Sequence, residues 1–240
     1  MFMGDHTSPD SEGYVRVIRD VVTRFHPTLR PTLISTGSSE QTARALNSDT
    51  LLGILTSSSP TWLVIGIGLA DALREPLLGP LSEQFNREKA ADADADVTFG
   101  RELPSNGSTP KAGKVDTYHL ARLDSFEADL ASAVSSFGAA GINPVILTTV
   151  LVGPDALHPL NGILSSYNKA LRRIAGEFGL PLVDIERAFG DLFARAVQYK
   201  QKIAPAGYRG EITPQGEALI ARTFLQTFDL LPHPGYRPLR

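Results

Sequence analysis

The sequence predicts an α/β protein: a three-layer αβα, doubly wound parallel sheet of the flavodoxin-like type. Three observations carry this. Trp62-Leu-Val-Ile-Gly-Ile67 is a continuous apolar run, as expected for a central parallel strand covered on both faces. Segments of helical period separate the apolar runs. Strands joined by helices of this length imply right-handed βαβ crossovers.

Taken in order, Met1–Met3 is a first short strand, and Tyr14, Ile18, Val21, Val22 and Phe25 recur at helical spacing. Pro31–Thr36 reads as a strand, pairing over Leu33–Ser35, and Leu63–Ile67 as the next, with Trp62 in the core. Phe126, Leu130, Val134 and Phe137 mark a helix closed by Gly138. Val145–Thr148 follows as a strand. Ile163, Tyr167, Leu171, Ile174 and Phe178 mark a long helix, and Pro181–Ile185 a short strand centred on Leu182–Val183. Thr213 is the N-cap and Pro214 the first residue of a last helix that buries Ile220, Phe224 and Phe228. About five strands result. In such sheets ligands bind outside the carboxyl ends of the strands. The loops after Met3, Thr36, Ile67 and Thr149, and the approach to Thr213, therefore hold the candidate site.

The chain has 240 residues, 42% of them hydrophobic, enough for one substantial core. A single domain over 1–230 is expected, with a C-terminal tail at 231–240. A polar insertion at about 83–114, including Ala91-Asp-Ala-Asp-Ala-Asp96, reads as a solvated loop or a lid. Net charge is −3 and the cations are scattered, so no nucleic-acid partner is expected. The absence of cysteine excludes disulfides, zinc-thiolate sites and a thiol nucleophile. No apolar stretch approaches the ~20 residues of a membrane helix. No signal peptide is visible, which makes a cytoplasmic location the expectation unless the start lies upstream. No cofactor is expected either. Gly66-x-Gly68-x-x-Asp71 falls one residue short of a dinucleotide motif, and Asp92, Asp94 and Asp96 lack the glycine and distal glutamate of a calcium loop.

Five segments in order resemble one family. Met3-Gly-Asp-His-Thr7 is similar to a first block reading Gly-Asp-Ser, and Ile34-Ser-Thr-Gly-Ser-Ser-Glu-Gln-Thr42 to a second, Asn-x-Gly-x-Ser-Gly-x-Thr. Pro60–Asp71 resembles a third, an apolar strand ending Gly-x-Asn-Asp. Tyr167–Ala175 with Pro181–Asp184 resembles a late helix and strand, and Thr213-Pro-Gln-Gly216 the end of a last block, Asp-x-x-His-x-Thr-x-x-Gly. The blocks are those of the SGNH/GDSL-type (lipase/esterase-like) hydrolases, and the resemblance spans Gly4 to about Phe228 apart from the polar insertion.

The resemblance implies that fold, and acyl transfer by a serine, a histidine base and an orienting aspartate. Placed on this sequence, the nucleophile falls on His6, the oxyanion glycine on Glu40 and the oxyanion asparagine on Ala70. The base falls on Glu211 and its orienting carboxylate on Tyr208. Gly4, Asp5, Gly37, Thr42, Gly68, Asp71 and Gly216 match the family pattern. His6 has no hydroxyl to acylate, Ala70 cannot donate, and a Glu40 carboxylate opposes a developing oxyanion. Ser8 or Ser38 as a displaced nucleophile would need His26, His119 or His158 brought to it. The resemblance groups Asp5, His6, Glu40, Asp71, His158 and Glu211 in one cleft, with His6 and Glu211 at ~3 Å and the imidazole pKa above ~6.5. That cluster reads as an inert charge pair, as a divalent-metal site of His6, Glu40 and Glu211, or as an acid/base pair. Three functions follow: a pseudoenzyme binding a ligand or partner in the old cleft, an enzyme with a rebuilt site, and the esterase that the family name implies.

Overall fold

The computed structural model describes residues 1–4, 13–29, 32–36, 38, 41–74, 112–153, 159–199, 203, 205–207 and 212–231. Four strands form one parallel sheet: β1 (Phe2–Gly4), β2 (Trp62–Gly66), β3 (Asn143–Leu147) and β4 (Leu182–Val183), adjacent in that order. Their carboxyl ends lie in register, Gly4 opposite Gly66, Gly66 opposite Leu147 and Leu147 opposite Val183.

The expected strand at Leu33–Ser35 is reduced to a single parallel bridge, Ser35 with Phe2. The Phe2 N–H donates to the Ile34 carbonyl at 2.7 Å and the Thr36 N–H to the Phe2 carbonyl at 2.9 Å. The cause is the length of β1. In a three-residue strand alternate peptide groups face opposite neighbours, so Phe2 and Gly4 face this side, and Gly4 takes the Ser38 N–H. With this segment flanking β1, the spatial order is that of a doubly wound sheet.

The helices are α1 (Gly13–Phe25), α2 (Asp49–Ser58), α3 (Leu69–Leu73), α4 (Ala112–Ala139), α5 (Pro159–Glu177), α6 (Ile185–Gln198) and α7 (Pro214–Thr227). One layer packs α7 against α1 and α6, and the other packs α4 against α5 and the 3-10 turn Arg44–Asn47. The first layer meets the sheet through Phe2, whose ring touches Tyr14 and Phe224. The second is centred on Phe126 edge-on to Tyr167. Side-chain oxygens of Ser48, Asp184 and Thr213 cap α2, α6 and α7.

Several expectations are corrected. Gly138 does not close its helix; α4 runs through it, and the chain turns at Gly141, with φ of +75°. That helix also starts at Ala112, inside the stretch read as a polar insertion. Ile185 opens α6 instead of ending a strand, because Asp184 takes the N-cap and Ile185, Phe189, Phe193 and Ala196 form a buried stripe. Trp62 is 47% exposed rather than core. As the first residue of β2 it stands at the amino edge of the sheet, its ring edge-on to Phe228 at the margin of α7. Acrylamide should therefore quench this single tryptophan efficiently in the folded state; protection from quenching would contradict the placement.

Candidate functional site

The carboxyl edge of the sheet is built from glycines and clamped loops. A Cβ on Gly4 would overlap the Gly66 carbonyl oxygen, so β1 and β2 close together at this end only because Gly4 lacks a side chain. The Gly4 carbonyl accepts the Ser38 N–H at 3.0 Å, drawing the second block across the end of β1. Ser38 accepts in turn from the Gln41 N–H, so Ser38 and Gln41 bracket a tight turn. The third block reaches the same place through Gly68, with φ of +119°, which caps α3. A Cβ on Gly68 would lie 3.0 Å from the Thr149 methyl and 3.6 Å from the Tyr167 Cβ. On α3, Asp71 accepts the Ala43 N–H at 3.2 Å, tying the third block to the second.

After β3 the chain stays buried from Thr148 to Gly153. Backbone polar groups at such depth need partners. Two asparagines on the inner face of α5 supply them. Asn168 accepts from both the Thr149 N–H (2.7 Å) and its hydroxyl (3.0 Å). Asn161 accepts the Val152 N–H at 2.8 Å and donates to the Val152 carbonyl at 3.0 Å. The Gly153 N–H then donates to the Gly207 carbonyl. Gly207 stands at the mouth of the last block, where Ala206 bridges Ile212 and the Pro205 carbonyl accepts from both the N–H and the hydroxyl of Thr213. Gly216 fits there because any Cβ would overlap that carbonyl.

The last block and the first share one edge. A Cβ on Gly13 would lie 3.2 Å from Glu217 Oε1, and His26 Nε2 lies 3.0 Å from the Leu230 carbonyl oxygen. So α1 and α7 run side by side in one direction, and both start at the carboxyl edge. This places His26 at the opposite edge and removes it as a partner for any residue of the site. His119 stands on α4 with its ring 6.2 Å from that of Tyr167, beside the Gly68 layer.

Of the residues singled out in the sequence, Ala70 and Asp71 are described. Ala70 is 4% exposed and presents a methyl group. Asp5, His6, Ser8, Glu40, His158, Tyr208 and Glu211 lie outside the described residues, as does most of the 83–114 stretch. Among the described residues no group of three or more histidines, cysteines, aspartates or glutamates could hold a metal ion, and no helix is long and apolar enough to cross a membrane.

A second polar cluster joins the ends of β3 and β4. Arg172 makes a bidentate pair with Asp184, at 3.0 and 2.7 Å, and reaches Glu186 at 2.7 Å. The Thr148 hydroxyl donates to Asp184 and accepts the Glu186 N–H. Burial pushes the Asp184 carboxyl up, but Arg172, the Arg187 N–H and Thr148 outweigh it and hold the group below its ordinary value. Asp184 first, and then Glu186, raise the Arg172 guanidinium against its burial. Sequence reading passed over this cluster and the two asparagines. The signal was a polar residue within the apolar stripe Leu164, Tyr167, Asn168, Leu171.

The fold is the three-layer αβα arrangement of the SGNH-hydrolase type. The solved structure of Axe2, an acetylxylan esterase from Geobacillus stearothermophilus, is similar with a TM-score of 0.67 at 20% identity, over 97% of this chain and 95% of that one. A catalytic mutant of Axe2 is similar to the same extent. LAE5, an alpha/beta hydrolase from the metagenome of Lake Arreo, Spain, is similar at TM-score 0.67 and 19% identity, over 96% of this chain and 94% of that one. No family model matches the chain, and no curated protein matches it. At these identities the likeness establishes the fold.

Proposed function

We propose that this chain is a divergent SGNH-hydrolase-fold protein that lacks serine esterase activity and uses the carboxyl-edge cleft to bind a ligand or a protein partner. The observation that carries the reading is Ala70. It follows the Gly68 cap, where the family resemblance puts the oxyanion asparagine, and its buried methyl cannot donate a hydrogen bond. Loss of one such donor costs roughly two to three decades in rate. The same alignment of blocks puts His6 in place of the nucleophile and Glu211 in place of the base. The cleft would be lined by Asp5, His6, Glu40, Asp71, His158 and Glu211.

A fluorophosphonate probe, which needs an activated serine, should not label the protein. p-Nitrophenyl acetate should be hydrolysed no faster than by free imidazole. Stoichiometric labelling of Ser38 or any other serine would overturn the reading. It would favour the second one, ester hydrolysis, whose support is the likeness to Axe2 and LAE5 and the position of His119 on the Tyr167 side of the cleft.

A further inference from the structure

We infer that Asn161 is a positioning residue for the C-terminal loop of the candidate site. Its carboxamide closes both hydrogen bonds of Val152, as a neighbouring strand would, in a place that no strand among the described residues reaches. Asn161 is 4% exposed and Val152 is fully buried, so water cannot take over either bond. The next residue, Gly153, has φ of +73° and donates its N–H to the Gly207 carbonyl at 3.1 Å. Gly207 follows Ala206, whose bridge to Ile212 closes the loop of the last block. One side chain on α5 thus fixes where that loop leaves the scaffold. Asn168 offers the natural contrast. It is equally buried and staples Thr149 in the same way, but Thr149 touches nothing of the last block in the described hydrogen bonds. The geometry holds whether the cleft binds or hydrolyses its ligand.

The test is amide hydrogen exchange on the full chain, with the Ile146 amide, bonded to Pro181 within the sheet, as internal reference. Asn161→Ala should speed exchange at Gly153 about tenfold or more relative to Ile146, by local opening. It should also shift the Gly207 and Ile212 resonances. Asn168→Ala should lower protection at Gly153 and Ile146 in the same proportion and leave Gly207 and Ile212 in place. Should the alanine variants not fold, Asn161→Thr and Asn168→Thr keep most of the volume without a carboxamide to close the two bonds, and the same contrast is expected between them. Parallel loss at Gly153 and Ile146 in the Asn161 variants, with Gly207 unmoved, would overturn the assignment and leave Asn161 a packing residue.

Discussion

Gly4→Ala should be among the most destabilising single substitutions in the sheet. The added Cβ meets the Gly66 carbonyl oxygen, a backbone atom inside a sheet, so no side chain can swing away to make room. β1 cannot retreat either. Its three residues are held on one side by β2 and on the other by Ile34 and Thr36, and the Gly4 carbonyl anchors Ser38. Overpacking in well-packed cores costs about 1–3 kcal/mol, and a clash with fixed backbone belongs at or above the top of that range. For a chain of this size each kcal/mol lowers the thermal midpoint by about 2–4 °C, so a fall of about 6–12 °C or outright insolubility is expected. Gly53→Ala is the control. It lies within α2 with open space around the new methyl, and should be neutral or slightly stabilising. Equal midpoints for Gly4→Ala and Gly53→Ala by circular dichroism would refute the close approach of β1 and β2.

The parts of the fold that the sequence disclosed are those where one signal dominates. β2 and β3 are buried on both faces, and continuous apolar runs announce them. In α7 a capping threonine, a first-turn proline and a stripe of Ile220 and Phe224 agree. Errors fall where two signals compete. Gly138 carries the chemistry of a helix stop, yet the helix runs one residue past it to Ala139, and the positive-φ turn falls on Gly141. Asp184 and Ile185 read equally as a strand end or a cap and first turn, and only the later Phe189 and Phe193 decide it. The candidate site was legible as a place and not as a set of contacts. Block order put the loops at one sheet edge, and the Gly4–Ser38 and Gly153–Gly207 bonds bring those loops together. Asn161 and Asn168 carry no motif of their own. Their roles depend on where a neighbouring loop needs hydrogen bonds, which spacing along one helix does not encode.

Arg172→Met should cost about 2 kcal/mol and should weaken the acid response. Removing one partner of a fully buried ion pair costs about 3–5 kcal/mol, because the other charge stays behind; Arg172 and Asp184 keep about a third of their side chains in water, which lowers the figure. In the wild type Asp184 has a folded pKa below its unfolded value of about 3.9. The pair therefore contributes stability above that value, and the contribution is lost as pH falls through the lower folded pKa. In the variant burial still pushes the Asp184 carboxyl up, and the Arg187 N–H and the Thr148 hydroxyl oppose it without the cation, so the group is held down less. The variant therefore has less stability to lose on acidification than the wild type. Urea midpoints at pH 7 and pH 3.5 measure this: the gap between the two proteins should be widest at pH 7 and narrow towards pH 3.5. A gap independent of pH would mean that Arg172 acts through its aliphatic packing and not through Asp184.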